Sequence, residues 1–223
     1  MKKFSLLILS VINAIVSGIY IAMLPVDIVP SHYNIMGEAD AYSSKWFYML
    51  MPCILILLAV INLVRYTLAE KGKLESYEVN KEFKIVVGIF VFFLALFWYL
   101  TVASIKGNMN ISPSLSPVLN ILLGGFIIYL SNMFGKIKQN RFFGIRLNST
   151  LNSKYVWKKT HRLGGYMGVI AGFIMVIIGI ISLVNKNCAP YLLPVSLGCF
   201  IVLGVIIPTI YSYVLYAKEK SSK

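Results

Sequence analysis

Two histidines, eight acids and three cysteines carry most of the reactive chemistry that this 223-residue chain could perform. His32 lies in LPVDIVPSHYNIMGEADAYSSK, residues 24–45, together with Asp27, Glu38 and Asp40. One imidazole among carboxylates could contact a metal, but zinc sites bring more nitrogen or sulfur ligands. A hydrogen-bonded histidine is therefore the expected role, with no metal. Three acids against one base, Lys45, also make this segment attractive to cationic ligands. His161 lies in NRFFGIRLNSTLNSKYVWKKTHRLGG, residues 140–165, which is basic, aromatic and free of acid. There Arg146, His161 and Arg162 could hold a lipid phosphate. Cys53, Cys188 and Cys199 show no C-x-x-C spacing and read as small apolar fillers. No Ser/His/Asp set, H-E-x-x-H or glycine-rich phosphate loop is present. The expectation is binding without catalysis and without a cofactor.

The elements that position these residues are hydrophobic. The chain is 58% hydrophobic and 13% charged, where a soluble domain has about 25% charged residues. Its mean hydropathy is +0.79. Each helical crossing of a bilayer needs about 20 apolar residues. Six runs lack Asp, Glu, Lys, Arg and His: Phe4–Leu24, Trp46–Val64, Ile85–Ile105, Pro117–Gly135, Leu163–Val184 and Ala189–Ala217. Strand-like alternation is absent from them, which argues against a membrane β-barrel. The predicted fold is all-α, a polytopic membrane bundle of about six transmembrane helices. It divides into an N-terminal two-span module (1–68), a loop plus third span (69–116) and a C-terminal module (117–223).

Charge orients the spans. Of 21 Lys and Arg residues, all but Lys45, Lys106 and Lys186 fall on one side of this topology. The positive-inside rule then puts both termini in the cytoplasm, and it puts His32 and His161 on opposite faces. The net charge of +13 is accounted for by this placement, so direct nucleic-acid binding is not expected. Coupled transport normally needs ionisable groups within the membrane, and the six runs have none. A small-molecule or lipid transporter, or a lipid-binding membrane protein, remains an open reading.

Local signals refine the loops. Pro25 and Pro30 impose extended backbone, and Gly37 suits a turn. Ser153 is a plausible N-cap for a short interfacial helix over 153–163, where Tyr155 and Trp157 favour the membrane surface. Gly164, Gly168 and Gly172 have the spacing that lets another helix approach closely. Ser10, Asn13 and Ser17 share one face of the first span and could bond across helices. In the last span Pro190, Pro194 and Pro208 predict a bend.

Two signatures in the right order resemble the SdpI family of membrane immunity proteins. The C-terminal pattern is similar at Asn140, Gly144, Ile145, Arg146, Thr150, Leu151, Val156, Trp157, Thr160, His161, Arg162 and Gly165. The first loop resembles the family's N-terminal L-P-x-x-I-P-x-H module at Leu24, Pro25, Ile28, Pro30, His32, Asn34, Gly37, Asp40, Ser44 and Lys45. Leu147-Asn148-Ser149 departs from the usual Thr-Pro-Trp, which removes an interface anchor and loosens the turn. The resemblance implies a bacterial cell-membrane protein that confers resistance to a secreted peptide toxin. It also implies a receptor that holds a cytoplasmic repressor at the membrane. Pro30, His32, Asn34, Gly37, Asp40 and Lys45 would then meet the toxin outside. Asn140, Gly144, Arg146, Thr150, Trp157, Thr160, His161 and Arg162 would contact a partner or membrane lipids inside.

Overall fold

The computed structural model describes residues 2–34, 39–73, 76–106, 115–139, 144–185 and 188–221. Six of its helical stretches are long and apolar enough to cross a membrane, and the chain is a multi-pass membrane protein. It forms two compact units, residues 1–115 and 116–223.

In the first unit, α1 (Lys2–Ala22), α2 (Leu50–Glu70) and α3 (Ser76–Lys106) pack together, so the third span joins the N-terminal helices. Leu6, Leu55, Ala59 and Phe90 form the centre of the core. The amphipathic logic of a soluble helix is reversed here. Ile8, Ile12, Ile15 and Ile19 of α1 face outward, while Ser10, Asn13 and Ser17 are buried. Lipid is as apolar as isoleucine, so packing and polar contacts hold such helices together. Of the three polar residues, Asn13 bonds across helices, accepting from the Trp98 indole N–H at 2.9 Å. Ser10 bonds its own helix at the Leu7 carbonyl, and Ser17 Oγ has no partner among the described atoms. An ion pair, Lys3 to Glu70 at 2.7 Å, joins the start of α1 to the end of α2.

The link from α1 to α2 contains strands that composition did not announce. β1 (Ile28–Tyr33) and β2 (Ala39–Ser44) form an antiparallel hairpin in which Ile28 faces Ser44 and Tyr33 faces Ala39. The register shifts twice between Pro30 and Tyr33. That irregularity fits Pro30, which has no N–H for a ladder. A short 3₁₀ turn, Lys45–Met49, then leads into α2.

The second unit contains α4 (Leu115–Phe134), α5 (Asn148–Leu151), α6 (Lys154–Val184), α7 (Ala189–Phe200) and α8 (Ile207–Ser221). Small residues bring α4 and α6 into backbone contact. A Cβ on Gly124 would lie 2.6 Å from the Gly172 carbonyl oxygen, and one on Gly172 would lie 2.7 Å from that of Gly124. A Cβ on Gly168 would collide with Ser131 Oγ. The predicted short interfacial helix at 153–163 is instead the beginning of α6, with no break before the membrane run. Its 31 residues extend about 46 Å at 1.5 Å each, well beyond a hydrocarbon core of about 30 Å. Ser153 caps it as predicted, accepting from the Val156 N–H at 3.1 Å.

Between α7 and α8 the helix widens into a π turn at Ile201–Ile206. Pro208 explains the place. It lacks an N–H, and its ring would crowd the carbonyl four residues earlier, at Gly204. A π turn accommodates such a mismatch without ending the helix.

Candidate functional site

The hairpin site is built from its base upward. Lys45 donates its backbone N–H to the Asp27 carbonyl at 2.8 Å. Its ammonium reaches the Asp27 carboxylate at 3.2 Å and the Leu24 carbonyl at 3.3 Å. Lys45 thus closes the base of the loop. His32 Nδ1 and Asp40 Oδ1 meet across the strands at 2.5 Å, on an exposed part of the hairpin. Pro30 is buried, and its carbonyl accepts from the Tyr48 hydroxyl at 3.1 Å. Asn34 is half-buried just beyond β1, while Gly37 lies outside the described residues. Among the described residues, no three His, Cys, Asp or Glu side chains gather in a way that could hold a metal.

Below the hairpin is an apolar cavity of about 210 Å³, lined among others by Pro30, Tyr33, Phe47, Tyr48, Phe97 and Thr101. Sequence reasoning missed its aromatic wall. The Trp46-Phe47-Tyr48 run at the start of the second span was the available signal.

The second site is a folded cap on the N-terminal turns of α6. His161 is buried on α6, four residues from Trp157, and both of its ring nitrogens are engaged. Nδ1 faces the Trp157 carbonyl at 2.9 Å, while Nε2 accepts the Ile145 N–H at 2.9 Å. A carbonyl at one nitrogen and an N–H at the other require the neutral Nδ1–H tautomer. The rings of Trp157 and His161 stack at 3.9 Å. Trp157 is itself anchored, its indole N–H donating to the Ile137 carbonyl at 2.9 Å.

Thr150 holds the loop from the other side. Its hydroxyl donates to the Ile145 carbonyl at 2.7 Å and accepts the Leu147 N–H at 2.9 Å. This bonding secures the turn that the Leu147-Asn148-Ser149 departure was expected to loosen. Gln139 donates to the Thr150 and Leu151 carbonyls, both at 2.8 Å. Ser149 and Ser212 hydroxyls lie 2.9 Å apart, and Ser153 donates to Glu219 at 2.5 Å. These partners in the cap were not anticipated. Glu219 left a trace in the sequence as the only acid after Glu82.

The predicted inner residues therefore separate into two kinds. Gly144, Thr150, Trp157 and His161 build the cap, and Thr160 is buried on the same helix with no partner for its hydroxyl among the described atoms. Arg146 and Arg162 are exposed. Arg162 lies over the Tyr166 ring at 5.8 Å. With its ring nitrogens occupied, His161 is unavailable to the phosphate-binding set of Arg146, His161 and Arg162. Asn140 lies outside the described residues.

Beside the cap is a cavity of about 340 Å³ between the end of α4, the start of α6 and the π turn with the first residues of α8. Ile145 and Leu147 of the cap line it, as do Phe134, Gly168 and Val205.

Residues 136–212 match the model of the SdpI/YfhL protein family. Residues 8–56 match a domain of unknown function, DUF1648. No curated protein and no solved structure gave a significant match. The first match spans the cap, α5, α6 and α7 and runs into α8, and the second includes the hairpin, so both signatures fall on the two folded sites. This multi-pass membrane protein therefore carries an SdpI/YfhL family region over residues 136–212.

Proposed function

We propose that this protein is a bacterial cell-membrane immunity protein that gives resistance to a secreted, cationic peptide toxin. It acts by binding and not by catalysis. Both termini and the α6 cap lie in the cytoplasm, and the hairpin faces outward. The match of residues 136–212 to the SdpI/YfhL family is the observation that carries this reading. The hairpin supports it with the exposed His32–Asp40 pair above an aromatic-lined cavity. Such a surface suits a peptide that brings positive charge and apolar side chains together. The exposed arginines around the α6 cap offer a surface on which a cytoplasmic repressor can be retained.

The test is a killing curve. The chain is expressed in a toxin-sensitive Gram-positive host lacking its own immunity gene, membrane insertion is verified, and Sdp-type peptide is titrated. A rightward shift of the curve is expected. An unchanged curve at equal membrane abundance rejects protection against that toxin class.

A further inference from the structure

We infer that the cavity beside the α6 cap is a groove for an acyl chain of an anionic phospholipid, with Arg146 meeting the phosphate. Its volume, about 340 Å³, falls at the lower end of the range for ligand pockets, about 300–1,000 Å³. The lining is almost wholly apolar, with Ser131 and Thr209 the polar exceptions. Water there would find few of the partners it needs, while an empty groove would forfeit dispersion contacts along its walls. Hydrocarbon satisfies both conditions.

The groove is reachable from the bilayer. Val205 lines it and is 48% exposed, so one wall is also molecular surface. The α4 wall runs from Ile127 to Phe134, about 10 Å of helix. That length suits part of a chain lying along the bundle.

Charge selects the lipid. Arg146 is exposed and sits in sequence between the lining residues Ile145 and Leu147. Exposed Lys136 and Lys138 follow the lining residue Phe134. The unit holds one acid, Glu219, against twelve Lys and Arg residues. The cap end of the groove is therefore strongly positive. It would repel a cationic peptide and attract a phosphate.

The test needs no toxin, so it is independent of the immunity reading. The intact chain is reconstituted in bilayers of mixed phosphatidylglycerol and phosphatidylcholine and extracted in a neutral detergent. Lipid retained per chain is then measured by native mass spectrometry. Preferential retention of phosphatidylglycerol is expected. Val205→Phe, which fills the groove from its exposed wall, should reduce retention of that lipid. Arg146→Gln should reduce it about fivefold, the factor for losing one basic residue near an anionic lipid, and Arg146→Lys should restore most of it. Unfolding temperatures in detergent establish that each variant remains folded. Equal retention of the two lipids overturns the proposal, as does wild-type retention in folded Val205→Phe. Displacement by glycerol phosphate as effective as by the whole lipid would also overturn it, because that ligand has no acyl chain.

Discussion

Gly144 lies against the ring of His161, so that a Cβ on the glycine would fall onto Nε2, the nitrogen that accepts the Ile145 N–H. The glycine also has φ +115°, a conformation that side chains rarely adopt. Two independent constraints meet at one residue. Gly144→Ala should destabilise the C-terminal unit by about 2–4 kcal/mol, combining backbone strain with a displaced buried ring. Thermal unfolding of the purified protein in detergent checks this. A wild-type transition would mean that the loop does not rest on the imidazole.

His161 and Arg146 should behave differently when replaced. Removal of the His161 ring leaves the Ile145 N–H without an acceptor and Trp157 without its stacking partner. His161→Ala should cost about 2–4 kcal/mol and lower membrane abundance. Arg146→Ala, at an exposed position, should change stability by less than about 0.5 kcal/mol, while impairing repressor retention in a reporter strain. Equal stability losses would dismiss this division between cap and surface.

The spans were legible because bilayer thickness imposes long apolar runs, which depend on composition alone. Ser153 was legible as a cap for a similar local reason, as was the glycine spacing at 164, 168 and 172. The inner role of His161 was not. Its partners are the Ile145 N–H and the Trp157 carbonyl, and backbone groups have no letter in a sequence. The hairpin was hidden because Pro30 disrupts the alternation by which strands are recognised. The π turn depends on how the helix accommodates Pro208, and the proline alone indicates only that a disturbance must occur. The union of α3 with α1 and α2 rests on long-range contacts such as Trp98 to Asn13.

Neighbouring glycines on α4 offer an internal comparison. A Cβ at Gly124 would approach the Gly172 carbonyl oxygen to 2.6 Å, whereas one at Gly125 would meet nothing within 4 Å. Gly124→Ala must push two helix backbones apart, at a cost of about 1–3 kcal/mol. Gly125→Ala adds a better helix former on an exposed face and should be neutral or stabilising by up to about 1 kcal/mol. Unfolding temperatures of the two variants should therefore move in different directions or by very different amounts. Matching shifts would refute close backbone packing of α4 against α6.

The hairpin allows stability to be separated from protection. Its exposed His32–Asp40 pair should contribute less than about 1 kcal/mol, so Asp40→Asn should leave folding and insertion unchanged. The same variant removes negative charge from the face proposed to receive a cationic peptide, and the killing curve should shift leftward. Lys45 differs because its ammonium is largely covered and tied to Asp27 and the Leu24 carbonyl. Lys45→Met should loosen the base of the hairpin and be seen as faster amide exchange along β1 and β2. If Asp40→Asn retained full protection at normal abundance, the ion pair would be only a brace for the hairpin and toxin contact would have to lie elsewhere on this unit. The aromatic cavity below Pro30 would then be the next surface to alter.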